Sequence, residues 1–203
     1  MKPDEIEKRS FEIIQSELPV PLDPELAPVI MRVIHTTADF GYVEFLAFSV
    51  NIIEHAVSSL RKGVHIVCDT NMVKAGVDKT RLQTLGSDIH CFIKDEDVVR
   101  DAQQRGNTRA YAAIDKAAAM KEPLIFIVGN APTALMRICE LYEQGVISPA
   151  FVIGVPVGFV NVVESKEMLM QSGIPYIISK GRKGGSNVAA AICNSLLRLA
   201  EPQ

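Results

Sequence analysis

From Val64 onward the chain alternates short, nearly unbroken apolar runs with longer helix-like stretches, and few architectures accept that rhythm. The runs fall at 64–68, 89–93, 124–128, 151–155 and 176–178. They are continuous in apolar residues rather than alternating with polar ones, as strands covered on both faces are. Between them, 78–85, 95–120 with a break near Gly106, 132–144, 162–172 and 186–200 carry helical patterns. The last of these sets Val188, Ile192, Leu196 and Leu199 on one face. Strand–helix alternation of this kind predicts a three-layer α/β/α fold, with a five-stranded, mainly parallel sheet between helices. Ahead of it, 4–18, 24–36 and 44–61 read as N-terminal helices. The segment Pro19-Val-Pro-Leu-Asp-Pro separates the first two, since proline cannot sit in a helix interior. The 203 residues suit one domain, 1–203, with a full core.

Composition narrows the function classes. Apolar residues make up 48% and charged residues 22%, an ordinary globular balance. The net charge of −3 argues against a nucleic-acid partner, which calls for a basic excess. No stretch approaches the ~18 consecutive apolar residues of a membrane span. The longest, about 151–163, is broken by Gly154, Pro156 and Gly158. The acidic start has no apolar run, so no secretory signal is expected. Cys68, Cys91, Cys139 and Cys193 are far apart, with no CxxC pair and no nearby His at ligand spacing. They predict reduced, structural thiols, a cytoplasmic location and no metal site built by the protein.

The chemistry concentrates in a few places. Arg32-Val-Ile-His35-Thr36-Thr37-Ala-Asp39 follows an apolar helical run and gathers a guanidinium, an imidazole, two hydroxyls and a carboxylate. Imidazole, with an unperturbed pKa of roughly 6.5, can give or take a proton near neutrality; an isolated His on an apolar segment can equally be a hydrogen-bonded core residue. Ligands of open α/β sheets bind beyond the carboxyl ends of the strands. The residues there are Asp69-Thr70-Asn71-Met72, Lys94-Asp95, Gly129-Asn130-Ala131-Pro132-Thr133, Pro156-Val157-Gly158-Phe159 and Ser179-Lys180-Gly181-Arg182. Asn130 can present its amide to a polar ligand, whereas Thr133 serves equally well as a helix cap. The Val157-Gly158-Phe159 turn can lie against a flat ring, with Ser165 and Lys166 addressing its periphery. Asn107 is expected to cap another helix, and Arg109 to serve as an anion partner. Gly181-Arg182-Lys183-Gly184-Gly185-Ser186 opens the last helix, where glycines admit close approach and a helix N-terminus favours anions. It lacks the spacing of a P-loop. Together these turns suit a large anionic ligand, flat or apolar in its centre, and proton management rather than hydrolysis.

These stretches carry a resemblance to a known family. Ile6-Glu-Lys-Arg9-Ser10-Phe, Arg32 to Asp39, Asp69-Thr-Asn-Met-Val-Lys-Ala-Gly, Gly129 to Leu135, Gly154 to Lys166 and Gly181 to Ala191 run in collinear order over nearly the whole chain. The chain resembles precorrin-8X methylmutase (precorrin isomerase) of cobalamin biosynthesis. The resemblance implies a flavodoxin-like fold, a homodimer with its site near the interface, and hand-over to the next pathway enzyme. It also implies migration of a methyl group from C-11 to C-12 of precorrin-8x or cobalt-precorrin-8, without a cofactor. His35 matches the family's catalytic histidine. Substrate contacts are then expected from Arg9, Ser10, Arg32, Thr36, Asp39, Asn71, Arg109, Asn130, Thr133, Gly158, Ser165, Lys166, Lys180, Arg182 and Ser186. A corrinoid carrier that binds the product without catalysis remains an alternative, and a flavin-phosphate binder a weaker one.

Overall fold

The computed structural model describes residues 2–201. The chain enters through α1 (Pro3–Glu17), α2 (Ala27–Thr37) and the short α3 (Tyr42–Phe45), then forms β1 (Leu46–Phe48) and α4 (Ile52–Arg61). There follow β2 (Ile66–Cys68), α5 (Asn71–Gly76), α6 (Lys79–Thr84), β3 (Ile89–His90), α7 (Glu96–Arg105), α8 (Arg109–Ala118) and β4 (Ile125–Val128). The chain ends in α9 (Pro132–Glu143), β5 (Phe151–Gly154), α10 (Val162–Gln171), β6 (Tyr176–Ser179) and α11 (Ser186–Ala200).

Among the described residues the sheet has six strands rather than five, in the order β1-β6-β5-β4-β2-β3. The five expected strands are mutually parallel. Numbered among themselves, they follow the 2-1-3-4-5 order of flavodoxin-like sheets. The added strand, β1, runs antiparallel to β6, with Leu46 opposite Ser179 and Phe48 opposite Ile177. It interrupts the helix expected over 44–61. The apolar spacing there fits a helix, but Leu46–Phe48 covers the free edge of β6, and Val50 is left 90% exposed. Asn51, in the left-handed region at φ 55°, turns the chain into α4. One further helix, α5, stands where a turn was read; the Thr70 hydroxyl caps it by accepting from the Val73 N–H.

Strand side chains alternate between two helical layers. Ile66, Cys68, Ile125, Ile127, Phe151, Ile153 and Ile177 pack with residues of α2, α4, α5, α6 and α11. Val67, Phe126, Val128, Val152 and Ile178 pack with α8, α9 and α10. Both faces are therefore dry, and each large side chain buried there contributes about 1.5–3 kcal/mol. Helix α11 is the central element of the first layer, in contact with α2, α4, α5, β4 and β5. Its Ala189-Ala190-Ala191 run keeps it thin, so that a Cβ at Gly76 would meet Ala190 at 2.9 Å.

This topology fixes a crevice. The chain leaves β2 toward β3 through helices on the first face, and leaves β4 toward β5 through a helix on the second. The order reverses between β2 and β4, and ligands of such sheets bind beyond the carboxyl ends at that reversal.

Candidate active site

The crevice between β2 and β4 is shaped by a buried carboxylate. Asp69, 2% exposed, directly follows β2 and accepts from the backbone N–H of Gly129 (2.9 Å), Asn130 (2.8 Å) and Ala131 (2.7 Å). Burial pushes its pKa up, and the three amide donors pull against that. The effect is to curl the chain after β4, leaving Asn130 exposed at the rim. Helix α11 begins against this turn: a Cβ on Gly129 would lie 2.8 Å from the Ser186 Cα. The Ser186 and Thr70 hydroxyls are 3.0 Å apart, so Ser186 is engaged with the cap of α5. On the far side of β4, the Thr133 and Thr108 hydroxyls lie 2.8 Å apart, which sets Arg109 at the start of α8 beside the start of α9.

A second wall is the loop from β6 to α11. Gly184 and Gly185 have φ of 155° and 129°, and a Cβ on Gly184 would be 2.2 Å from the Val155 carbonyl oxygen. The pair lets the loop lie on the backbone after β5, where the Gly185 N–H donates to Val155 O at 2.9 Å. Lys166, 1% exposed, holds the loop from beneath. Its ammonium donates to Gly181 O (2.8 Å), Lys183 O (2.9 Å) and Ser179 Oγ (3.3 Å), while burial lowers its pKa to about 8. Outward, the Arg182 guanidinium lies 5.3 Å from the centroid of the Phe159 ring, which is 81% exposed, and Gly158 N–H donates to Arg182 O. Met72, Val157 and Val160 are also exposed at this end.

The third wall carries the imidazole. His35, exposed on the last turn of α2, stacks on Phe11 of α1 with ring centroids 5.2 Å apart and planes 11° from parallel. Arg32, one turn earlier, lies 4.6 Å from the same ring's centroid and bonds to Glu7. That bond, ahead of other charges, holds the Glu7 carboxyl below its ordinary range. Beyond α2, Asp39 accepts from Lys183 Nζ (2.6 Å) and from the Gly41 N–H (2.9 Å). The Lys183 hydrogen bond lowers the Asp39 pKa. The end of α2 is thereby tied to the loop that opens α11.

Size does not mark this site. A cavity of about 690 Å³ opens at the amino ends of β4 and β5, lined by Lys121, Leu124, Tyr142 and Ile147 among others, and holds none of the expected site residues. Among the described residues no group of three His, Cys, Asp or Glu side chains is placed to hold a metal ion.

A family model described as precorrin-8X methylmutase matches residues 5–199. The chain belongs to the precorrin-8X methylmutase family. Cobalt-precorrin-8 methylmutase of Salmonella typhimurium is 44% identical over 203 residues, covering 97% of this chain and 95% of the relative. That of Leptospira interrogans is 42% identical over 204 residues, covering 96% and 93%. A solved precorrin-8x methyl mutase from Thermus thermophilus superposes with a TM-score of 0.88 at 37% identity, covering 96% of each chain. The chain is therefore an isomerase of cobalamin biosynthesis, and the carrier and flavin-binding alternatives fall away.

Within this methylmutase, the expected contact residues divide. Ser165 and Lys166 cannot touch a ligand through their side chains: Ser165 is fully buried and bonds to Val162 O at 2.9 Å, and Lys166 is spent on the loop. Both face inward from α10. Arg32 is already paired with Glu7, and Asp39 with Lys183, so each positions its neighbours before it can meet substrate. Arg9 is exposed and paired with Glu12, and the Ser10 and Thr36 hydroxyls turn back to Ile6 O and Arg32 O. Asn71, Asn130 and Thr133 gather around the crevice, with Gly158 on the adjoining turn. Lys180, Arg182 and Arg109 are exposed and join none of the ion pairs among the described residues. From sequence, Asp69 and Lys183 were named only as members of their turns, and Phe11 was given no role. A carboxylate directly after an apolar strand was the available signal for Asp69; the other two owe their places to contacts between distant segments.

Proposed function

We propose that this methylmutase moves the methyl group of precorrin-8x, or of cobalt-precorrin-8, from C-11 to C-12, with His35 as the catalytic group. The observation that carries the reading is an exposed imidazole, backed by the Phe11 ring and held at the ligand-binding end of the sheet. The methyl carbon leaves C-11 as it bonds to C-12 within one molecule, so nothing is consumed and no cofactor is required. His35 hydrogen-bonds or protonates the macrocycle, drawing electron density from the ring as the bond migrates. Lys180, Arg182 and Arg109 receive the carboxylates of the substrate, and Phe159, Val157, Val160 and Met72 offer apolar cover for its flat centre. Asn71, Asn130 and Thr133 supply polar contacts in the crevice.

The cover is open in a single chain, which supports a homodimer whose second copy closes the site. A cytoplasmic location, one domain over 1–203 and direct hand-over of product to the next pathway enzyme belong to the same reading. No described helix is long and apolar enough to cross a membrane.

The test is an anaerobic incubation of the purified protein with each substrate, read by visible absorption and product mass. A red-shifted spectrum at unchanged mass supports the reading; ligand returned unaltered from both incubations overturns it.

A further inference from the structure

We propose that Cys68 and Cys91 form a redox pair, which a peroxide converts into a disulfide between neighbouring strands beside the crevice. Strands β2 and β3 are parallel, with Ile66 opposite Ile89 and Val67 opposite His90, and that register, carried one residue past the end of β3, brings Cys91 alongside Cys68. Both thiols face the same layer: Cys68 lies in the core cluster with Ile66 and Ile89, Cys91 packs against that cluster, and Val67 points the other way. Adjacent strands are about 4.8 Å apart, inside the roughly 4.4–6.8 Å between Cα atoms that a disulfide spans. The Cys68 Sγ is 3.4 Å from the His90 carbonyl oxygen, the peptide group that leads into Cys91.

The two thiols are unequal in a way that orders the chemistry. Cys91 is half-buried and Cys68 is buried, so an oxidant meets Cys91 first. The Cys68 thiol beside it, with the Ile93 N–H and Lys74, lowers the Cys91 pKa against its own burial and the Asp69 charge; Cys68 itself is pushed up. The attacking species is thiolate. Cys139 and Cys193 are both buried and are pushed up to about 12, mainly by burial, which leaves them inert.

The Cys91 thiolate attacks one peroxide oxygen, the O–O bond breaks, and the departing hydroxide takes a proton to become water. Cys91 is then a sulfenic acid. The Cys68 sulfur attacks it, forming the S–S bond and expelling the hydroxyl, which leaves as water with the Cys68 proton. Two thiols and one peroxide give one disulfide and two waters. The bond adjoins Asp69, which holds the turn after β4.

The full-length protein is treated with hydrogen peroxide, denatured, alkylated with iodoacetamide and read by intact mass and peptide mapping. Two alkylated thiols, a linked peptide pair containing Cys68 and Cys91, and recovery of four thiols with dithiothreitol are expected. Cys68→Ser should leave a sulfenic acid at Cys91 that dimedone traps, and Cys91→Ser should abolish the link. Four alkylated thiols after peroxide, a link between other cysteines, or a disulfide persisting in Cys91→Ser would overturn the assignment. Circular dichroism of both variants confirms that the comparison is between folded chains.

Discussion

Lys183 Nζ and Asp39 Oδ2 lie 2.6 Å apart, and through this pair the loop that opens α11 is fastened to the end of the helix that carries His35. The partners are only partly covered, so the pair is worth less than about 1 kcal/mol of stability. Its importance is positional. Asp39→Ala should leave the midpoint of urea unfolding nearly unchanged while lowering kcat/KM severalfold. A variant with unaltered kinetics would remove Asp39 from the account.

Lys166 gives the opposite balance. Lys166→Met keeps the length of the side chain but takes its donor from the Gly181 carbonyl and leaves the Lys183 carbonyl with the Ser179 hydroxyl alone. The expected cost is about 1–3 kcal/mol, by the penalty for one orphaned buried acceptor. The loop should also gain hydrogen-exchange rate ahead of global unfolding. Stability within ~0.5 kcal/mol of wild type, the usual range for a surface change, would contradict the buried role.

Gly184→Ala places a methyl group against the Val155 carbonyl oxygen, in a backbone region reserved for glycine. A loss of at least about 1–3 kcal/mol is expected, with activity falling as the loop shifts. Gly86→Ala is the control: it also has positive φ, but its Cβ meets nothing within 4 Å. Equal losses in the two variants would mean that the close approach to Val155 is unimportant.

Acid stability should draw on Glu7. Its folded pKa is held below the ordinary value by Arg32, so its contribution is full above the unfolded pKa and disappears as pH falls through the folded one. Glu7→Gln should therefore flatten part of the acid limb of a stability–pH curve, by about 1 kcal/mol or less for a pair only partly covered. The difference between variant and wild type should shrink below that limb. A gap that stays constant down to the lowest pH would argue against the assignment.

The parallel strands were legible because both faces are covered, which turns them into continuous apolar words in the sequence. Leu46–Phe48 was not, since its spacing with Ile53, Val57 and Leu60 also fits a helix. What makes it a strand is an edge formed by residues such as Tyr176, 127 positions beyond Ser49. His35 stood out by local chemistry together with the family likeness. Ser165 and Lys166 were drawn to the site by their nearness in sequence to the turn after β5, but the inward face of α10 is decided by packing. Asp69 was visible as a carboxylate after a strand, yet its three backbone donors come from a segment some sixty positions away.

The most direct test of the central claim compares wild type with His35→Ala for turnover of precorrin-8x or cobalt-precorrin-8 under anaerobic conditions. Product affinity is measured alongside by absorption titration. The account predicts that turnover falls by about 10²–10⁴, the span of a lost general acid or base, with product binding changed only a few-fold. Turnover close to wild type would contradict it.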